Sequence, residues 1–243
     1  MTTAAEWTRR LRALGNAEHA RTARWFFKTG PGQYGEGDKF LGIRVPALRR
    51  LVPEASALAL DEVAKLLASP WHEARLLAVL VLVRQYERGT EANRRAIYRR
   101  YLSSLPHLNN WDIIDSSAPH IVGRHLDGRN RAALVRLARS KNLWERRIAV
   151  LATFWTIRKN EFDDTLALAS ILLEDREDLI HKAVGWMLRE VGNRNVDVLR
   201  GFLRAHAARM PRTMLRYAIE KLPAAERQEW LQVKREPIKP IWS

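Results

Sequence analysis

The chain has 243 residues, 47% of them hydrophobic, so it can bury a sizeable core and wholesale disorder is excluded. It has no cysteine, which excludes disulfides, cysteine-ligated zinc and a thiol nucleophile and fits a reducing compartment. Lys and Arg total 42 against 27 Asp and Glu, a formal net charge of +15, and 33 of the 42 cations are Arg. The Arg fork grips phosphate bidentately, so this balance points to nucleic acid; a genome bias that writes Arg for Lys on any solvated surface is the plainer alternative.

In chain order, MTTAAEWTRRLRALG has no long apolar core and is not expected to be a secretory signal. Gly30, Gly32, Gly35 and Gly37 make TGPGQYGEGDKF the one clear long loop, over about 29–38. No GK[ST] follows, so it is not a P-loop. Beyond it, apolar residues recur at spacings of three and four, as amphipathic helices require, and no segment alternates with period two. The helical stretches are LDEVAKLLA, HEARLLAVLVLVRQY, RAALVRLAR, DDTLALASILL and HKAVGWMLREVG. The longest apolar run, Leu76 to Val83, is too short to span a bilayer as a helix, so no membrane partner is expected. Breaks fall at SPW, LPHLNNW, GRN, SKNLW, VGNRN and MPRT, with Ser69 before Pro70 as a capping pair. A short tail is expected over about 234–243.

The helices repeat. HEARLLAVLVL, NNWDIIDSSAP, WERRIAVLATF, IHKAVGWMLRE and TMLRYAIEKLP align on Arg75, Trp111, Arg147, Lys182 and Arg216, each segment preceded by another helix. The period is about 35 residues, as in HEAT-like repeats. The expectation is an all-α fold, an α-solenoid of HEAT-like repeats forming a single domain over 1–243 with a concave basic groove. Four of the five matched residues are cationic and make a basic row. One turn on, a second row holds Val79, Asp115, Leu151, Trp186 and Glu220. In this register Trp111, Asp115, Arg147 and Trp186 fall in adjacent repeats.

A lone carboxylate in a groove that receives a polyanion needs a reason, and catalysis is one. An aspartate can stabilise a developing oxocarbenium ion and orient a water. Tryptophan faces attract cations, so two of them beside a carboxylate suit a leaving base that carries positive charge. Each residue also has a structural alternative. Trp111 and Trp186 at helical spacing suit a core. Asp115 could pair with Arg147 across a repeat interface. Asp112 suits a cap or surface acid near the helix start. Arg147, beside Arg146, suits groove or surface. His120 and His181 form no metal set, so no metal is expected.

The stretches KFLGIRVPALRRL, NNWDIIDSSAPHIVG, NLWERRIAVLATF, IHKAVGWMLREVG and MPRTMLRYAIEKL together resemble the AlkD-like DNA alkylation repair family, HEAT-like-repeat DNA glycosylases, over most of the chain. The resemblance implies hydrolysis of the N-glycosidic bond of positively charged N3- and N7-alkylated purines in double-stranded DNA. The duplex would be gripped by a concave basic surface, and the lesion contacted from the backbone side without flipping into a pocket. Trp111 matches the family's first groove tryptophan, Asp115 its catalytic aspartate, Arg147 its backbone-gripping arginine and Trp186 its second tryptophan. There are departures. The glycine loop is longer, Arg44 stands in place of Gln, Trp25 or Phe26 stands near an expected aromatic, and Leu179 and Ile180 replace a more aromatic stretch.

The expected catalytic residues are therefore Asp115, Trp111 and Trp186. The expected DNA-binding residues are Arg147, Arg146, Arg75, Lys182, Arg216 and Arg44. No cofactor is expected, and a cytoplasmic, nucleoid-associated monomer is. No lysine occupies the Asp115 position, so lyase chemistry through a Schiff base is not expected. The second hypothesis is a non-catalytic scaffold that binds nucleic acid or an acidic protein; the Asp115 acid in the groove discriminates the two.

Overall fold

The structure is a computed structural model that describes residues 2–234. The expected tail, past residue 234, lies outside the described residues. The fold is all-α: among the described residues the β pairing is a single bridge between Lys39 and Trp71. The chain divides into two compact units, one ending at His125 and the other starting at Leu126.

The first unit contains α1 (Ala4–Ala13), α2 (Ala17–Phe26), α3 (Val45–Ala55), α4 (Leu60–Leu67), α5 (His72–Arg88), α6 (Glu91–Ser103) and α7 (Trp111–Asp115). Helix starts follow local chemistry. Thr3 and Glu6 form a reciprocal capping box on α1, and Asn16 caps α2 by accepting from the His19 amide. Ser69 does not cap α5. Its Oγ instead accepts from the Trp71 N–H at 3.2 Å, fixing the turn, and Trp71 itself is the N-cap.

α5 is the centre of this unit. Every residue from His72 to Leu82 is buried, because α3, α4 and α6 cover it on several sides. A helix apolar all round belongs inside. After α7 the chain widens into a π-helical turn over Pro119–Gly123. Pro119 supplies no N–H and its ring cannot sit against the carbonyl four residues back, so the regular ladder ends there. A single helical turn, α8 (Arg124–Leu126), follows.

The second unit contains α9 (Ala132–Ala138), α10 (Leu143–Ala152), α11 (Phe154–Ile157), α12 (Asp163–Ile171), α13 (Asp178–Arg194), α14 (Val196–His206), α15 (Arg212–Ile219) and α16 (Ala224–Gln232). α13 buries Ile180, Ala183, Val184, Met187, Leu188 and Val191, a face at three- and four-residue spacing. Its Gly185 is required by close approach. A Cβ there would lie 2.5 Å from both the Met214 carbonyl oxygen and Tyr217 Cβ on α15. The five segments aligned by the repeat fall on α5, α7, α10, α13 and α15, each preceded by a partner helix in α4, α6, α9, α12 and α14.

The loop after α2 is held from α5. The buried Glu73 carboxylate accepts the Leu41, Gly42 and Ile43 amides at 2.9, 2.7 and 3.2 Å, charge-assisted bonds that offset its desolvation. Gly42 has φ +83°, and a Cβ on it would meet the Asn16 carbonyl oxygen at 2.1 Å. No other residue fits there.

Candidate active site

α7 begins in a buried polar frame. Asn110, fully buried, accepts from the Trp111 amide at 2.8 Å, and its Nδ2 donates to Asp38 Oδ2 at 3.0 Å. Asp112 Oδ2 accepts from His72 Nε2 at 2.8 Å, while His72 Nδ1 donates to Asp38 Oδ2 at 3.1 Å. Arg75 donates to Asp38 Oδ1 and, at 3.0 Å, to the Ser69 carbonyl. Two cations and two carboxylates therefore balance inside the unit. Burial opposes charge on His72, but the hydrogen bonds to Asp112 and Asp38 outweigh it and lift its pKa to about 9. Burial likewise pushes the Asp38 carboxyl upward, but His72 and Arg75 hold it below the usual carboxylate range. Asp112 is structural, but as the partner of the buried His72 rather than as the cap, which is Asn110, or a surface acid; periodicity could not supply that partner.

Trp111 is half-buried. Its ring stacks on Phe27 at 5.4 Å between centroids and meets the edge of Phe26 at 5.9 Å. Its Nε1 donates to the Tyr34 hydroxyl at 3.2 Å, and that hydroxyl is 3.4 Å from the Phe26 carbonyl oxygen. The glycine loop thus positions the indole through Tyr34, a residue the sequence reading missed.

Asp115, one turn on, is half-buried and lines a cavity of about 490 Å³ in the first unit. Arg49 of α3, Arg84 and Glu87 of α5, and Ser116 and His120 share that cavity. Arg49 and Arg84 form no ion pair among the described residues. They too were missed. The signal was present: Arg84 directly follows the apolar run of α5, where that helix reaches the surface.

Two of the expected DNA-binding arginines need correction. Arg75 is not an exposed cation: it is 4% exposed and bound to the buried Asp38, and Val79, in the second row, is fully buried. On α5 the polar residues that reach the cavity are Arg84 and Glu87 instead. Arg146 is not available to phosphate either. Its Nε and Nη2 fork onto Asp175 at 2.6 and 3.2 Å, and Nη1 donates to the carbonyls of Ser140 and Lys141. Both guanidiniums satisfy carboxylates inside the fold, because an unpaired buried acid is far costlier than a paired one.

The other predicted residues are placed as follows. Arg44 is exposed, with Nη2 at 3.0 Å from His19 Nε2. In the second unit Arg147 is 5% exposed and donates to the Leu179 carbonyl at 2.6 Å. Lys182 pairs with Asp178 at 2.8 Å, one turn back. Trp186 is half-buried, donates from Nε1 to Glu190 Oε1 at 3.0 Å and tilts against Phe154 at 6.2 Å. Arg216 is exposed on α15. Neither tryptophan is a fully buried core residue.

The all-helical fold has a solved counterpart. A structure from Enterococcus faecalis, described as a predicted DNA alkylation repair enzyme, is similar with a TM-score of 0.65 and 17% identity, covering 86% of this chain and 97% of that one. This likeness is one of fold. The family model of the DNA alkylation repair enzymes matches residues 7–222, and the chain belongs to that family. Among curated proteins none matches it. No helix of the described residues is long and apolar enough to cross a membrane.

Proposed function

We propose that this protein is a monofunctional DNA glycosylase that hydrolyses the N-glycosidic bond of positively charged N3- or N7-alkylated purines in duplex DNA. The observation that carries the reading is Asp115, a half-buried carboxylate on a cavity that it shares with the arginines Arg49 and Arg84. In a member of a DNA alkylation repair family, that combination offers charge stabilisation for a sugar cation and phosphate contacts around it.

On this reading the C1′–N bond breaks with its electron pair leaving on the purine, which becomes neutral. The cationic base therefore departs without an acid. Asp115 stabilises the oxocarbenium ion left on the deoxyribose and orients the water that adds to C1′, whose proton passes to solvent. The family resemblance assigns Trp111 and Trp186 to the sugar and charged base, a role that suits tryptophan faces beside a cation. Arg216 and Lys182 of the basic row and the exposed Arg44 are assigned to the backbone, with Arg49 and Arg84 added from the cavity; the buried Arg147 is assigned there by the family resemblance alone. The helix pairs would form a HEAT-like solenoid that offers a concave basic groove to the duplex, and the lesion would be met from the backbone side rather than flipped.

The test is release of N7-methylguanine and N3-methyladenine from methylated duplex DNA. Asp115→Asn should release each about 100-fold more slowly or worse, as expected for loss of an electrostatic stabiliser, with DNA affinity within about twofold of wild type. If the wild type releases neither base faster than buffer alone, the glycosylase reading fails.

A further inference from the structure

Trp25 has no evident use inside the fold. It is 83% exposed, and Phe26 beside it is 54% exposed. Large aromatics rarely stand so far into water in a soluble protein, and an exposed apolar surface rimmed by charge marks an interaction site. Arg21, Arg24 and Trp25 lie on one face of α2, at i, i+3 and i+4, and Lys28 stands in the loop just past the end of the helix. None of these three cations forms an ion pair among the described residues. An open cleft of about 750 Å³ runs beside them, lined by Arg24, Trp25, Phe26, Lys28, Thr29 and Gln33 among others, and no carboxylate lines it. Phe26 joins this surface to the site above, since its ring meets Trp111.

We infer that this face of α2 binds a stretch of unpaired nucleic-acid strand, with a base stacked on Trp25 and its phosphates on Arg24, Lys28 and Arg21. An indole flanked by free cations, on a cleft with no acid in its lining, matches an aromatic ring on a polyanionic backbone. An intact duplex hides its base faces, so the stacking partner is an unpaired base. A purely apolar protein partner would leave three cations facing it without counter-charge. The inference rests on the DNA-directed reading above and extends it. A lesion site that loses its base leaves an unpaired base opposite, and this surface would hold such a base beside Trp111.

The test uses the full chain and fluorescence anisotropy with a labelled single strand of about 12 nucleotides and an intact duplex of the same sequence, neither alkylated. Trp25→Ala should bind the single strand about tenfold more weakly, as for loss of one base–aromatic stack. Trp25→Phe should keep most of the affinity, and duplex binding should change less than about twofold in both variants. Equal single-strand binding by wild type and Trp25→Ala overturns the inference, as does absence of single-strand binding by the wild type. A third overturning result is loss of binding to phosphatidylserine vesicles in Trp25→Ala with DNA binding unchanged, which would assign the face to a membrane surface. Because the probes carry no lesion, failure of base release leaves a positive result standing. Asp115-dependent release with unchanged Trp25→Ala binding sinks the stacking alone.

Discussion

His72 should make the protein's stability fall with pH in a range where few side chains titrate. The imidazole lies 2% exposed between Asp38 and Asp112, and its pKa is lifted from 6.5 to about 9. A raised folded-state pKa means that the charged form is favoured by folding. The contribution is therefore complete below pH 6.5, declines as pH rises, and is gone above about 9. At 1.36 kcal/mol for each pKa unit, the shift corresponds to about 3 kcal/mol. For a chain of this size that is a fall of about 6 to 12 °C in Tm between pH 6 and pH 9.5. The assay is a set of thermal melts across that range for wild type and His72→Gln. The variant cannot carry the charge, so it should melt well below wild type at pH 6, and the gap should narrow as pH rises. Subtracting the two curves removes the titration of all other groups. Parallel curves, with a constant gap from pH 6 to 9.5, would show that folding does not raise the His72 pKa and would refute the reasoning.

Three further outcomes follow from the placement of two cations and of one glycine. Arg75→Met should lower stability by about 3–5 kcal/mol by leaving Asp38 without its guanidinium, read as a fall in the urea midpoint. Arg84→Ala should leave that midpoint within about 0.5 kcal/mol but reduce the slope of log K against log salt for duplex binding by about 0.9, the signature of one lost phosphate contact. The reverse pattern would restore Arg75 to the DNA-contacting row. Gly185→Ala should destabilise by about 1–3 kcal/mol, because its methyl meets the Met214 carbonyl at 2.5 Å and α15 must move; a variant with an unchanged melt would show that α13 and α15 part easily.

The helical character and the order of helix pairs were legible in the sequence because amphipathic spacing and a period near 35 residues are local properties. The five aligned segments do fall on second members of helix pairs. What failed was the direction of individual side chains on α5. That helix is buried from His72 to Leu82, so its pattern of apolar residues marks no inner face, and Arg75 could be read as outward when it points at Asp38. Its partner lies in the glycine loop, 37 residues away, where no periodic signal reaches. Tyr34 was hidden for the same reason: its tie to Trp111 spans 77 residues and depends on the path of a loop. Asp112 and Asp115 were separable in advance because Asp115 lies four residues, about one turn, beyond Trp111, whereas Asp112 lies one residue on, about 100° round the helix. The role of Asp112 as a pinning group, by contrast, required the position of His72.

α7 has only five residues, fewer than an isolated helix needs to hold its shape, and Pro119 prevents a regular continuation. Its geometry must therefore be imposed from outside. Asn110 ties its start to Asp38 in the glycine loop, Asp112 ties its first turn to His72 on α5, and Ser117, just past its end, bonds to the Tyr101 hydroxyl on α6. Three segments far apart in sequence thus fix one turn of helix, and that turn carries Trp111 and Asp115. An apolar contact in place of the His72–Asp112 pair could match its stability, since buried ion pairs gain little over good packing. It could not match its direction: an apolar surface slides, whereas a donor at 2.8 Å from one carboxylate oxygen fixes both distance and angle. If Asp115 acts on a sugar cation, its value depends on its position to a fraction of an ångström. A chain of net charge +15 therefore places two acids on this short helix for different ends: Asp112 holds the turn still so that Asp115 presents its carboxylate to the cavity from a fixed place.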